Sequence, residues 1–422
     1  MKPLVRLAEQ ILVVVSLLYL TESLFGVLPG ALFSPIQYGM YGVTFLLLAA
    51  RWRRSLAYLM RDPLLVVMLG LTIFSFLWSD FPKFSLRNSI VACQTASVGI
   101  YMASCYSVKQ QLKLIGWAMG IAAFLSISYA VLLPSVGVHL SDSHAGAWRG
   151  IYSHKNILSQ VATYSSLAFL ILTLCVKRYR YIPLVGFGMS VMLLLMSTSK
   201  TGLMVFLTLL LLLQIYRASR WRRTKSVLVL MIILMIFSGT IVVLIGSAEA
   251  ILTGLGRDLT LTGRTGIWAY AVEQVKRRPL LGYGRGAFWH PDSSVAVKVE
   301  DGLGGVYLPP HSHNGFVDLM CDLGLIGLSI FIINLIITFL RTYNYARVSS
   351  DAEKLWPVIY LSFFLLYNIT ESSIMKHNSA FWATYVAASL SVSQLHRSKS
   401  RDASSIAEIP EQSQLIIRTE SR

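Results

Sequence analysis

Residues 311–340, HSHNGFVDLMCDLGLIGLSIFIINLIITFL, decide what kind of molecule this is. From Gly315 to Leu340 the run carries two charges, Asp318 and Asp322, and it exceeds the ~20 residues that cross a bilayer. Pro309 and Pro310 stiffen the approach, and His311, Ser312, His313 and Asn314 stand where the helix begins. A membrane-length helix with imidazoles at its mouth is therefore the first inference.

Working outward, similar apolar runs fall at 8–28, 35–51, 63–79, 86–105, 113–133, 156–176, 181–198, 201–216, 226–247, 315–340, 355–370 and 379–395. The first reads as a retained span rather than a removable signal peptide. Composition agrees: 55% of the 422 residues are apolar and 14% charged, against roughly 25% charged in soluble domains. Cys93, Cys105, Cys175 and Cys321 form no CxxC pair, so neither a disulfide framework nor a zinc site is indicated. The expected fold is an all-α integral membrane protein of about twelve transmembrane helices. Residues 1–247 supply the first nine, 248–314 a large outer loop with short amphipathic helices, 315–396 the last three, and 397–422 a flexible inner tail.

The net charge of +17 would suggest nucleic acid in a soluble protein; here it orients the chain. With the N-terminus inside and strict alternation, every inner segment is basic, and 24 of the 37 Lys and Arg lie there, as the positive-inside rule requires. Both ends are then cytoplasmic. The thirteen outer cations are Lys83, Arg87, Arg149, Lys155, Lys200, Arg257, Arg264, Lys276, Arg277, Arg278, Arg285, Lys298 and Lys376, and topology does not explain them. Seven of the eight histidines fall on the same outer side, His396 being the exception. Imidazole titrates near pH 6.5 and suits proton transfer, so the outer face is where chemistry is sought.

Four outer segments carry the candidates. Thr265–Arg278 reads as an amphipathic helix with Trp268, Ala271, Val272 and Val275 on one face, ended by Pro279. Arg264 precedes it, where a guanidinium and free helix N–H groups would cradle a phosphate, or where it would only cap the loop. Gly282-Tyr-Gly-Arg-Gly286 reads as a tight turn that also presents Arg285. Ser197–Gly202 is a short outer turn whose Lys200 either snorkels or meets a lipid phosphate. Trp148–Asn156 (WRGIYSHKN) groups Arg149, His154 and Asn156 at the mouth of the sixth span. For His311 and His313, zinc binding, helix capping and base catalysis all stay open, although no third ligand has convincing spacing.

Together GRTGIWAYAVEQVKRRPLLGYGRGAF (263–288), HSHNGFVDLMCDLGLIG (311–327), STSKTG (197–202) and RGIYSHKN (149–156) resemble the O-antigen ligase / Wzy-type polysaccharide polymerase superfamily, over roughly residues 145–340. RGIYSHKN points toward its exopolysaccharide-polymerase branch. The resemblance implies a metal-independent, inverting glycosyltransferase of the bacterial inner membrane, working without a cofactor on the periplasmic face. Glycan would move en bloc from undecaprenyl diphosphate to an acceptor, either a lipid-linked repeat unit or the lipopolysaccharide core. By motif, His313 would be the base and Arg264 and Lys200 would hold the diphosphate, helped by Arg285 or Arg149. His154, Asn156, His311 and Asn314 would support or contact the acceptor. Lysine at 200 stands where ligases usually present arginine and lacks the planar fork. A chain-length regulator and a flippase are implied partners; nucleic acid is not. A transporter is the rival class, but the halves show no clear repeat and the runs carry few charges.

Overall fold

The computed structural model describes residues 2–140, 144–219, 263–297, 310–347 and 350–393, with a few positions between 232 and 239. Among these the chain is helical. The helices are α1 (Lys2–Leu20), α2 (Phe33–Ala50), α3 (Trp52–Leu59), α4 (Pro63–Phe74), α5 (Pro82–Cys105), α6 (Val108–Leu132) and the short α7 (Pro134–Gly137). They continue with α8 (Lys155–Cys175), α9 (Tyr181–Met196), α10 (Lys200–Ser219), α11 (Gly263–Val275), α12 (Gly315–Arg347), α13 (Trp356–Asn368) and α14 (Ala380–Val392). Most of the run at 226–247, residues 248–262 and 298–309 of the loop 248–314, the basic cluster Arg220–Lys225 and the tail 397–422 lie outside the described residues.

This is a multi-pass membrane protein whose described helices are of unequal length. Among the described residues six helices are long and apolar enough to cross a bilayer: α1, α2, α6, α8, α10 and α12. The pair α3–α4, bent by 99°, makes a seventh candidate. At 1.5 Å per residue the 13-residue α13 and α14 reach only about 20 Å, short of the ~30 Å hydrocarbon core. Both are buried along nearly their whole length. A helix enclosed by other helices need not be lipid-soluble, which explains α5: its Ser85, Ser89 and Thr95 are buried. Ser89 donates to the Thr72 carbonyl at 2.7 Å, and Thr95 shares a 2.9 Å bond with the Tyr41 hydroxyl. Deeper in the bundle, Asp62 caps α4 by accepting from the Leu65 N–H and also accepts from Asn334 at 2.7 Å and from Ser389, joining α4, α12 and α14.

A break in α12 positions the candidate site. α12 is broken at Gly324, whose φ of +65° and ψ of −164° interrupt the helix and free backbone groups on both sides. The 279–286 segment fills that break. Leu325 and Ile326 donate to the Pro279 and Leu280 carbonyls at 2.8 and 3.1 Å, and Tyr283 and Gly284 donate to those of Cys321 and Asp322 at 2.9 Å each. Irregular backbone inside a helix bundle is tolerable where its freed groups find partners, as these four bonds provide. Gly324 is required twice over: for its positive φ, and because a Cβ there would lie 2.3 Å from the Leu280 carbonyl oxygen.

Helix α11 differs from the sequence reading in its limits and face. It begins at Gly263, and Ile267, Ala271 and Val275 are the buried positions, one turn apart, while Val272 is 39% exposed. The face is set by the neighbour: Ala271 and Val275 pack with Tyr283, Phe288 and Cys321.

Candidate active site

The HSHN segment folds into its shape by local hydrogen bonding. The His311 Nδ1 accepts the His313 N–H at 3.1 Å, Ser312 Oγ accepts the Asn314 N–H at 3.2 Å, and Asn314 Oδ1 accepts those of Phe316 and Val317 at 3.0 and 3.3 Å. Asn314 is thus the cap of α12, a role its amide oxygen fits. Asp318, one turn into the helix, accepts from the Ser312 N–H and from Trp289 Nε1 at 2.9 Å each, and from Ser372. Trp268 Nε1 donates to the Ser312 carbonyl at 2.8 Å, tying α11 to the same loop. The outcome is His313 held at φ +54°, a strained conformation for a residue with a Cβ.

A second histidine loop repeats the device. His154 caps α8 through Nδ1, which accepts the Asn156 N–H at 3.2 Å. Its ring stands 5.3 Å from those of His139 and His144, and His139 Nε2 accepts the Lys155 N–H at 3.3 Å. The Tyr152 hydroxyl shares a 2.9 Å bond with Ser23, pinning this loop to the end of α1.

These segments meet around a cavity of about 280 Å³. His154, Asn156, His311 and His313 line it, so four of the sequence-predicted residues come together. Three residues that sequence reasoning gave no role complete it: Glu371, Glu22 and Lys376. Glu371 Oε2 lies 3.5 Å from His313 Nδ1, an atom buried with no hydrogen-bond partner within normal reach. Lys376 Nζ stands 3.8 Å from Glu22. Glu22, Met375 and Asn378 all have positive φ, as His313 does, so the backbone strain of the described residues concentrates here. Burial, reinforced by the neighbouring imidazoles and Lys155, lowers the pKa of His154 to about 4. Burial and the adjacent His313 lower His311 as well. Both are therefore neutral at physiological pH, and the accepting Nδ1 of each leaves its proton on Nε2.

Of the predicted phosphate-binding residues, Arg285, Arg149 and Lys200 fall elsewhere. Arg285 does not line this cavity. Its guanidinium pairs with Asp322 and donates to the Met375 carbonyl at 2.7 Å, while Asp322 also accepts the Gly286 N–H at 2.8 Å. It borders an adjoining cavity of about 190 Å³ that shares His311, Ser372 and Lys376 with the first. Arg149 Nε donates to the Val136 carbonyl at 2.7 Å, locking its loop onto α7. Lys200 is exposed at the start of α10, outside the cavity wall. Two residues on, Gly202 packs so tightly on α8 that a Cβ would meet Ser159 Oγ at 1.7 Å. Ser159 and Thr163 hydrogen-bond Tyr367, whose carbonyl takes the Glu371 N–H at 2.8 Å. Arg264 is the second residue of α11; its side chain lies outside the described residues. Among the described residues no cluster of three His, Cys, Asp or Glu is spaced to hold a metal.

Comparison with known proteins bears on the same stretch. Residues 184–332 match the family model described as O-antigen ligase. The exopolysaccharide production protein ExoQ of Rhizobium meliloti (strain 1021) is 27% identical over 281 residues, covering 64% of this chain and 62% of that protein's length. The match over 184–332 and this likeness both support the O-antigen ligase and ExoQ-like family, which the chain resembles over that stretch.

Proposed function

We propose that the protein is a polysaccharide polymerase of the bacterial inner membrane, joining exopolysaccharide repeat units on the periplasmic face. The donor is a glycan on undecaprenyl diphosphate and the acceptor a second lipid-linked glycan. The observation that carries this reading is His313: strained in its backbone, lining a polar cavity, with a carboxylate 3.5 Å from its Nδ1. A carboxylate there keeps the proton on Nδ1 and leaves Nε2 as the basic atom. The distance tightens to a hydrogen bond when substrate closes the site.

In the reaction the acceptor hydroxyl gives its proton to Nε2, and its oxygen attacks the anomeric carbon. The bond from that carbon to the diphosphate breaks on the opposite side, so the configuration inverts. The leaving diphosphate gains charge, which cations stabilise. Arg264 and Lys200 are assigned to it, and no metal is required in this scheme. Arg149 is the helper, since among the described residues only its Nε is engaged, by the Val136 carbonyl, whereas Arg285 has both terminal nitrogens committed to Asp322 and the Met375 carbonyl. Glu22, Asn156, Gln160 and Ser373, which line the cavity, supply the mixed donors and acceptors that sugar hydroxyls need.

The orientation with both termini cytoplasmic rests on the basic inner segments. A chain-length regulator and a flippase are the partners such a polymerase works beside. The family model's own description favours a second reading, ligation of glycan to the lipopolysaccharide core. Cells carrying His313→Ala at normal membrane levels separate the readings. Loss of exopolysaccharide with intact lipopolysaccharide, and single lipid-linked repeats accumulating outside, is the expected result. A lipopolysaccharide core lacking its long chain would indicate the ligase, single repeats trapped inside a flippase, and normal-length polymer would refute the assignment.

A further inference from the structure

The end of the bundle opposite the histidine cavity carries a second built feature. α8 runs from His154 at the cavity to Cys175, about 30 Å away at 1.5 Å per residue. Near that end, α6, α8 and α9 leave a groove of about 440 Å³. Gly116 and Gly120 of α6 and Gly186 of α9 open it, and Phe169 and Leu172 of α8 form its floor. Its rim is apolar yet open: Trp117 is 69% exposed and Val185 59%. Lys113 and Arg178 line one end. The Arg178 guanidinium lies over the Tyr179 ring at 4.9 Å, and Tyr179 itself is held at φ +60°. Among the described residues no carboxylate lies within ion-pair reach of Lys113 or Arg178, whereas nearby Lys109 is paired with Glu353. An apolar slot ending in two uncompensated cations has the polarity of an anionic phospholipid, with acyl chain along the slot and phosphate at the end.

We propose that this groove is a binding site for one anionic glycerophospholipid, its phosphate held by Lys113 and Arg178 and an acyl chain lying along Gly116, Gly120 and Gly186. Basic pockets between membrane helices attract such headgroups. Lipid that fills a generic apolar face does not discriminate between headgroups; this site does. It stands apart from the glycan chemistry and from the reading proposed for it.

The test is native mass spectrometry of the full chain in mixed micelles, titrated with phosphatidylglycerol against phosphatidylethanolamine. The wild type is expected to retain phosphatidylglycerol preferentially, with one lipid surviving mild activation. The double variant K113Q/R178Q reduces that preference roughly thirtyfold, the size for two surface cations acting on one anionic lipid. Gly120→Leu fills the slot, since a Cβ there meets Phe169 only at 3.6 Å, an ordinary contact. It abolishes retention of either lipid at the site while leaving the protein monodisperse. Should the double variant not fold, raising salt on the wild type serves in its place and erases the preference. Equal retention of the two headgroups, a preference indifferent to both variants and to salt, or a chain dimer that Gly120→Leu dissolves overturns the proposal.

Discussion

Asp322→Asn isolates what the buried ion pair does for the site. The Arg285 and Asp322 side chains are 11% and 3% exposed, and they join three segments: the 282–286 turn, broken α12, and the α13–α14 connection through the Met375 carbonyl. Asparagine keeps an acceptor for the Gly286 N–H and removes only the countercharge. A buried guanidinium without one costs about 3–5 kcal/mol. At the per-residue unfolding entropy of globular proteins, 422 residues convert that into a fall of about 3–6 °C in Tm. Arg285→Met strands the carboxylate instead and costs a similar amount. The double variant Arg285→Met/Asp322→Asn leaves no unpaired charge and is predicted to be more stable than either single variant. Thermal unfolding of the four proteins in one detergent measures this. Additive losses in the double variant, or singles within about 1 kcal/mol of wild type, would refute the reasoning.

Gly324→Ala requires a left-handed backbone at an L-residue and sets a Cβ 2.3 Å from the Leu280 carbonyl oxygen; it should cost at least about 2 kcal/mol, read as lower Tm and reduced polymer. His154 has a folded pKa of about 4, below the 6.5 of the unfolded chain, so the unfolded state binds more protons as pH falls. The contribution of neutral His154 is therefore intact above pH 6.5 and lost progressively between 6.5 and 4. His154→Asn keeps the cap and should flatten that part of the stability profile, which thermal unfolding across pH measures; an unchanged acid slope contradicts it.

Much of the helical framework was legible in the sequence because lipid-facing helices are uniformly apolar. The lengths of the individual helices were not, because α13 and α14 meet protein instead of lipid and can be short, and α5 can be polar. His313, His311, His154 and Asn156 could be singled out because they sit at span mouths with recognisable neighbours. Glu371 could not. It is one acid in a connection without periodicity, and only the packing of α13 against α8 brings it to His313. Arg285 was misleading for a related reason. Its glycine-rich turn looks like a presented cation, but the acid that claims it, Asp322, is recognisable as a partner only once α12 is seen to break. Glu22 and Lys376 lie 354 residues apart in sequence and meet only in space.

The most direct test of the central claim is turnover of lipid-linked repeat units by purified wild type, His313→Ala, Glu371→Gln and the double variant, all at equal folded concentration. A base and the carboxylate that orients it act as one unit. His313→Ala should fall by about 10²–10⁴-fold, Glu371→Gln by less, and the double variant no further than His313→Ala. Wild-type turnover from His313→Ala, or losses that multiply in the double variant, would contradict the account.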